Sequence, residues 1–192
     1  MNRRGFTLIE LLIVMTLLSL LLVAMFGGLR FVRLNEGRSE AVAAAAERRE
    51  LVRGLLERQL GALVPLTGGD AQQRRLLFTG LPERLAFPIA RLPGQGPAGL
   101  MLAVFDIEPV EGGKRLVYRE YPFLPGPAVT VADEPTRSSP LLTAPELLFH
   151  YDSVGDWQSQ WNDGARLPRL VALSGAGGPD MVARPRAVVA PP

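Results

Sequence analysis

Arg3-Arg4-Gly5-Phe6-Thr7-Leu8-Ile9-Glu10 opens an apolar stretch, Phe6 to Leu29, in which Glu10 is the only charge. About 20 apolar residues in helical form, rising about 1.5 Å each, are enough to cross a bilayer. A carboxylate at that depth costs roughly 2.5–3.5 kcal/mol on insertion scales and persists where something compensates it. If the chain were cut after Gly5, the new ammonium of Phe6 would supply a positive charge at the same depth. It could then pair with Glu10 of a neighbouring subunit, which is the geometry of a filament.

The basic leader, the Gly-Phe-Thr-Leu-Ile-Glu run of residues 5–10 and the long apolar segment resemble the class III signal of type IV pilins and pseudopilins. In that family a membrane-embedded prepilin peptidase cleaves after the glycine and methylates the new N-terminal residue. The resemblance therefore implies a leader at 1–5, a scissile bond between Gly5 and Phe6, N-methylation of Phe6, and Glu10 as the assembly acid. An ordinary secretory signal would need a short apolar region and a small-residue cleavage site, which Ala24-Met25-Phe26-Gly27-Gly28 matches poorly. A plain anchor explains the length of the run but neither Glu10 nor Gly5-Phe6.

Composition divides the chain near Val64-Pro65. All 17 prolines lie at Pro65 or later, so residues up to Val64 can form one long helix and the rest cannot. Within that helix, Val52, Leu55, Leu56, Leu60 and Leu63 fall on one stripe that calls for a cover. Arg33, Glu36 and Glu40, and then Glu47, Glu50, Arg53 and Glu57, read as a solvated face with some i,i+3 and i,i+4 pairing, and Arg49 is placed with that polar side. Gly27-Gly28 interrupts the helix where the apolar run ends. Two readings stand for it: a hinge, or close packing against another helix.

The 192 − 64 = 128 residues from Pro65 onward suffice for one domain with its own core. Apolar segments between turn formers predict strands over 76–79, 85–89, 100–107, 115–121, 129–132, 146–152 and 170–174. Leu147, Phe149 and Tyr151 alternate cleanly with Leu148, His150 and Asp152, the mark of a strand with one buried face; alternation over 116–121 is weak. The leucine stripe is the natural lid for this sheet. The expected fold class is α+β: a long N-terminal helix, half transmembrane and half amphipathic, packed on a mainly antiparallel sheet.

Residues 147–152 (Leu-Leu-Phe-His-Tyr-Asp), Gly155-Asp156-Trp157, Trp161 and residues 167–173 (Leu-Pro-Arg-Leu-Val-Ala-Leu) resemble the C-terminal pattern of the J-class minor pseudopilins of type II secretion, the GspJ family. The proline-rich middle carries no such correspondence. Both tryptophans are expected to be packing anchors.

Cysteine is absent, so no disulfide framework exists, and the resemblance to pseudopilins is favoured over major pilins that close a C-terminal loop with a disulfide. Net charge is +2; loss of Arg3 and Arg4 with the leader leaves 21 − 2 = 19 basic residues against 19 acidic ones. That balance lacks the basic footprint of a nucleic-acid binder. The leader arginines place the N-terminus in the cytoplasm by the positive-inside rule.

Enzymatic patterns are weak. Gly94-Gln95-Gly96-Pro97-Ala98-Gly99 spells G-x-G-x-x-G, but Pro93 and Pro97 deny it the strand-turn-helix setting of a dinucleotide site. His150 is the only histidine, which excludes a multi-histidine metal site. Ser153 or Ser174 with His150 and an aspartate remains an open constellation by sequence order, without a nucleophile elbow. Asp152, Asp156 and Asp163 do not follow calcium-loop spacing, and Asn162-Asp163-Gly164 reads as a turn.

The expected organisation is a leader at 1–5, a transmembrane and filament-core helix at 6–29, an amphipathic helix at 30–64 continuing into the globular domain, and a periplasmic β-rich domain at 65–192. By resemblance the chain is a non-catalytic minor pseudopilin without cofactor or metal. It would sit single-pass in the inner membrane and later in the pseudopilus, where the tip complex initiates assembly. Its implied partners are the I, K and H class minor pseudopilins, the major pseudopilin and the prepilin peptidase. A minor pilin of a type IV pilus or DNA-uptake filament, and a membrane-tethered periplasmic binding module, are the alternatives.

Overall fold

The computed structural model describes residues 8–69, 74–91, 99–124 and 130–186, with the side chains of residues 27–41 outside the description. Contacts divide the chain into two compact units, Met1–Glu47 and Arg48–Pro192. One helix, α1 (Leu8–Gly61), accounts for the described part of the first unit and opens the second. It runs through Gly27-Gly28 without a break.

The helix was expected to reach Val64 and stops at Gly61. The reason is competition for backbone groups. Leu63 bridges Ile89, the amide of Val64 donates to the Pro88 carbonyl at 2.9 Å, and the Ala62 carbonyl accepts from Ala90. Three residues before Pro65, the chain has already joined the sheet. Arg58 lies in the last turn, where a cation complements the helix dipole.

Twelve strands follow: β1 (Thr67–Gly68), β2 (Arg75–Leu76), β3 (Thr79–Gly80), β4 (Arg84–Arg91), β5 (Gly99–Val110), β6 (Gly113–Leu124), β7 (Thr130–Val131), β8 (Arg137–Ala144), β9 (Leu148–Asp152), β10 (Trp157–Gln158), β11 (Leu170–Ser174) and β12 (Met181–Ala183). Every pairing is antiparallel. The larger sheet has the order β3-β4-β5-β6, with β7 and β8 both on the far side of β6; the second has the order β10-β9-β11-β12. The segment 76–79, expected as one strand, is divided between β2 and β3. Between them Leu77 donates to Leu66 and Phe78 folds back onto the Leu76 carbonyl.

Strand β8 escaped the sequence reading because Pro140 and the serines beside it look like a turn. Proline is tolerated here because β8 borders the described sheet and a bulge lies beside it: Leu116 faces Leu142, Val117 faces Pro140, and Leu141 is the extra residue. The weak alternation of β6 has a similarly concrete cause. Leu116, Val117, Tyr118 and Glu120 are all buried, so both faces of that strand are covered.

In the Arg48–Pro192 unit, Val52, Leu56, Leu60 and Leu63 lie 0–3% exposed, and Leu55 packs partly against the same core. They meet Leu85, Phe87 and Phe105 from the larger sheet and Phe149, Tyr151, Val171 and Leu173 from the second. The Phe78, Phe87, Phe105 and Tyr118 rings run through the interior with neighbouring centroids 4.8–6.3 Å apart. The helix thus contributes one apolar stripe to an α+β core, as the pattern of leucines predicts.

Candidate assembly site

Leu8–Phe26 is a 19-residue helical stretch of mean hydropathy 2.7, exposed along its whole length and long and apolar enough to cross a membrane. Its neutral polar side chains are satisfied locally: Thr16 Oγ1 donates to the Ile13 carbonyl at 2.8 Å, and Ser19 Oγ to the Met15 carbonyl at 2.7 Å. Glu10 cannot bond a helix carbonyl in the same way, because a carboxylate only accepts hydrogen bonds. It lies in the first turn of α1, where the helix dipole favours an acid. Three and four residues from it in the sequence stand Phe6, Thr7, Ile13 and Val14, none of them cationic, and the nearest basic residue downstream is Arg30. Gly5 and Phe6 lie outside the described residues.

Along the second unit's part of α1, the expected solvated face is present. Arg53 reaches Glu50 at 2.5 Å and Glu57 at 2.9 Å, all three side chains well exposed. The hydrogen bond from Arg53 holds the Glu50 carboxyl below its ordinary range, and Glu50 in turn raises the Arg53 guanidinium. Arg49 does not belong to that face. Its Nε is buried, and its guanidinium lies on the loop between β11 and β12, with Nη1 3.5 Å from the Gly177 carbonyl.

Two buried acids were not anticipated. Glu120 is fully buried on the core face of β6, where it accepts a 2.6 Å hydrogen bond from Tyr118 and pairs with Arg91. Asp152 was assigned to the outward face of its strand and is 1% exposed. The tight turn after it explains this: Gly155, at φ 88°, brings its amide within 2.5 Å of Asp152 Oδ1, and Arg169 closes the other oxygen at 3.2 Å. Neither acid stands in a pattern of neighbours in the sequence; each finds its cation on another strand or loop.

Among the remaining candidates, His150 Nε2 lies 3.0 Å from Ser174 Oγ, while Ser174 donates to the Leu148 carbonyl at 3.3 Å. The two side chains approach each other across the neighbouring strands β9 and β11. Asp163 Oδ1 accepts the amides of Ala165 and Arg166, a turn as expected, and the described residues hold no group of three or more metal-ligating side chains. Most of the 94–99 glycine motif lies outside the described residues. The tryptophans differ: Trp161 packs on the core and donates Nε1 to the Arg166 carbonyl at 2.8 Å, whereas Trp157 is 46% exposed, beside Val154 at 85%.

Comparison with known proteins agrees with both halves of this arrangement. Residues 1–26 match the family described as the prokaryotic N-terminal methylation motif. Type II secretion system protein J of Xanthomonas campestris pv. campestris is 32% identical over 202 aligned positions, spanning 93% of this chain and 90% of that protein. The fold matches a chain in the crystal structure of the GspK-GspI-GspJ complex from the enterotoxigenic Escherichia coli type 2 secretion system, with a TM-score of 0.51 at 18% identity, over 76% of this chain and 99% of that one. An acid-bearing apolar helix at the N-terminus, a leucine-roofed antiparallel domain after it and a relative 32% identical over nearly its full length together place this chain in the type II secretion system protein J family.

Proposed function

We propose that this chain is a minor pseudopilin of type II secretion that acts by assembly and not by chemistry of its own. The observation that carries the reading is the near-full-length relationship to a type II secretion protein J. It is supported by Glu10, an acid in the apolar run with no cationic side chain three or four residues from it in the sequence, for which cleavage at Gly5-Phe6 would provide a counter-charge. In this reading prepilin peptidase removes residues 1–5 and methylates Phe6, and the Phe6 ammonium of one subunit meets Glu10 of another. The span sits in the inner membrane with the β-rich domain on the periplasmic side, until the subunit enters the pseudopilus.

The related crystal structure is of a complex of GspK, GspI and GspJ. By that likeness the partners of this domain are the I and K class minor pseudopilins; the resemblance carried by its sequence adds the H class and the major pseudopilin as further partners, with a place in the tip complex that initiates assembly. The test is complementation in a host lacking its own J-class subunit, beside capture of I and K class domains by a fragment beginning near residue 30. Restored export of the secreted proteins together with capture supports the reading. Restored piliation or DNA uptake without restored export overturns it in favour of a type IV pilus subunit.

A further inference from the structure

We propose that Arg49 and the Gly177-Gly178 loop form a clamp that fixes where the β-rich unit takes hold of α1. The compact unit begins at Arg48, and helix residues 42–48 are exposed. Among the described residues, Arg49 is the first partly buried side chain along the helix; the first apolar one to enter the core is Val52, nearly a turn later.

The contact is specific in shape. A Cβ built on Gly178 would fall 2.2 Å from the Arg49 Cζ and from both terminal nitrogens, so the flat guanidinium fills the space that a side chain at 178 would need. Nη1 reaches toward the Gly177 carbonyl, and Nε is buried. The loop is itself held. Gly175 has φ 86° and a Cβ there would strike the Glu146 carbonyl at 2.1 Å, while Ala176 packs on the core. The neighbouring acid Glu50 is engaged by Arg53, which leaves Arg49 to the loop. A planar cation on a fixed glycine platform grips by shape more than by charge, and lysine cannot reproduce it. Without it, the first anchor of the helix to the sheets would be Val52.

Hydrogen exchange read by mass spectrometry on the full chain in lipid nanodiscs tests this. Arg49→Ala and Gly178→Ala are each expected to speed exchange of amides 48–53 by about tenfold or more while amides 56–61 and those of β5 and β6 keep wild-type protection, the signature of a local opening. Arg49→Lys is expected to behave like the alanine variant. Alanine is the better helix former, so faster exchange in Arg49→Ala reports the lost contact and not lost propensity. Unchanged exchange at 48–53 in Arg49→Ala, or acceleration spread evenly over Arg48–Gly61, would overturn the clamp. Full protection in Arg49→Lys would overturn the role of planar shape.

Discussion

Trp161, in the loop between β10 and β11, forms an isolated antiparallel bridge to Gly80 of β3, in which the Trp161 amide donates to the Gly80 carbonyl at 2.8 Å. A Cβ at residue 80 would lie 2.8 Å from the Trp161 Cβ and 3.0 Å from the Tyr151 ring, whose hydroxyl is itself tied to the Leu81 carbonyl at 2.8 Å. Gly80→Ala is therefore expected to cost about 1–3 kcal/mol through overpacking. A thermal melt several degrees below wild type, with the same cooperativity, would agree; an unchanged midpoint would show that the bridge yields easily.

Leu56 is 1% exposed at the centre of the helix stripe, whereas Leu51 on the same helix is 66% exposed. Leu56→Asp places an unpaired charge in the core and is expected to abolish cooperative unfolding, while Leu51→Asp leaves the melt within about 0.5 kcal/mol of wild type. Calorimetry on the two variants separates the faces, and a normal melt for Leu56→Asp would contradict the packing described.

Burial raises the pKa of both the Tyr118 and the Tyr151 hydroxyl; at Tyr118, Arg91 and then Arg137 partly oppose it. A group whose folded pKa is raised stabilises the fold fully below its unfolded value, here 10.0, and that contribution fades as pH climbs toward the folded value. Stability should accordingly fall above pH 10.0, with the tyrosinate absorbance of these two residues emerging only as the fold opens. Ultraviolet titration beside circular dichroism checks the order of events. Ionisation of both residues in a still-folded protein would refute it.

Processing and assembly should separate cleanly by residue. Gly5→Val is expected to leave the precursor uncut, read as an intact mass that retains Met1. Glu10→Ala removes a costly charge from the span, so membrane insertion should hold while export falls. Normal export by a stably inserted Glu10→Ala protein would defeat the pairing account.

The sequence made the helix stripe, the Phe149 strand and the acid in the span legible because each is a local pattern: a 3.6-residue period, a two-residue period, and a charge where none belongs. What stayed hidden depends on partners far along the chain. Arg49 looked like one more solvated cation, and its loop lies 128 residues away. Glu120 and Asp152 looked outward or neutral until Arg91, Tyr118 and Arg169 were brought against them. Strand β8 was masked by Pro140, whose local preference for a turn loses to the ladder it forms with β6.

That proline has a meaning beyond the single strand. A subunit crowded beside copies and relatives in a membrane is exposed to a second, unwanted way of associating, sheet edge to sheet edge. Along β8 the ribbon is shifted by the bulge at Leu141 and lacks one amide hydrogen at Pro140, and among the described residues β10 and β12 are only two and three residues long. The domain therefore makes a poor template for strand addition.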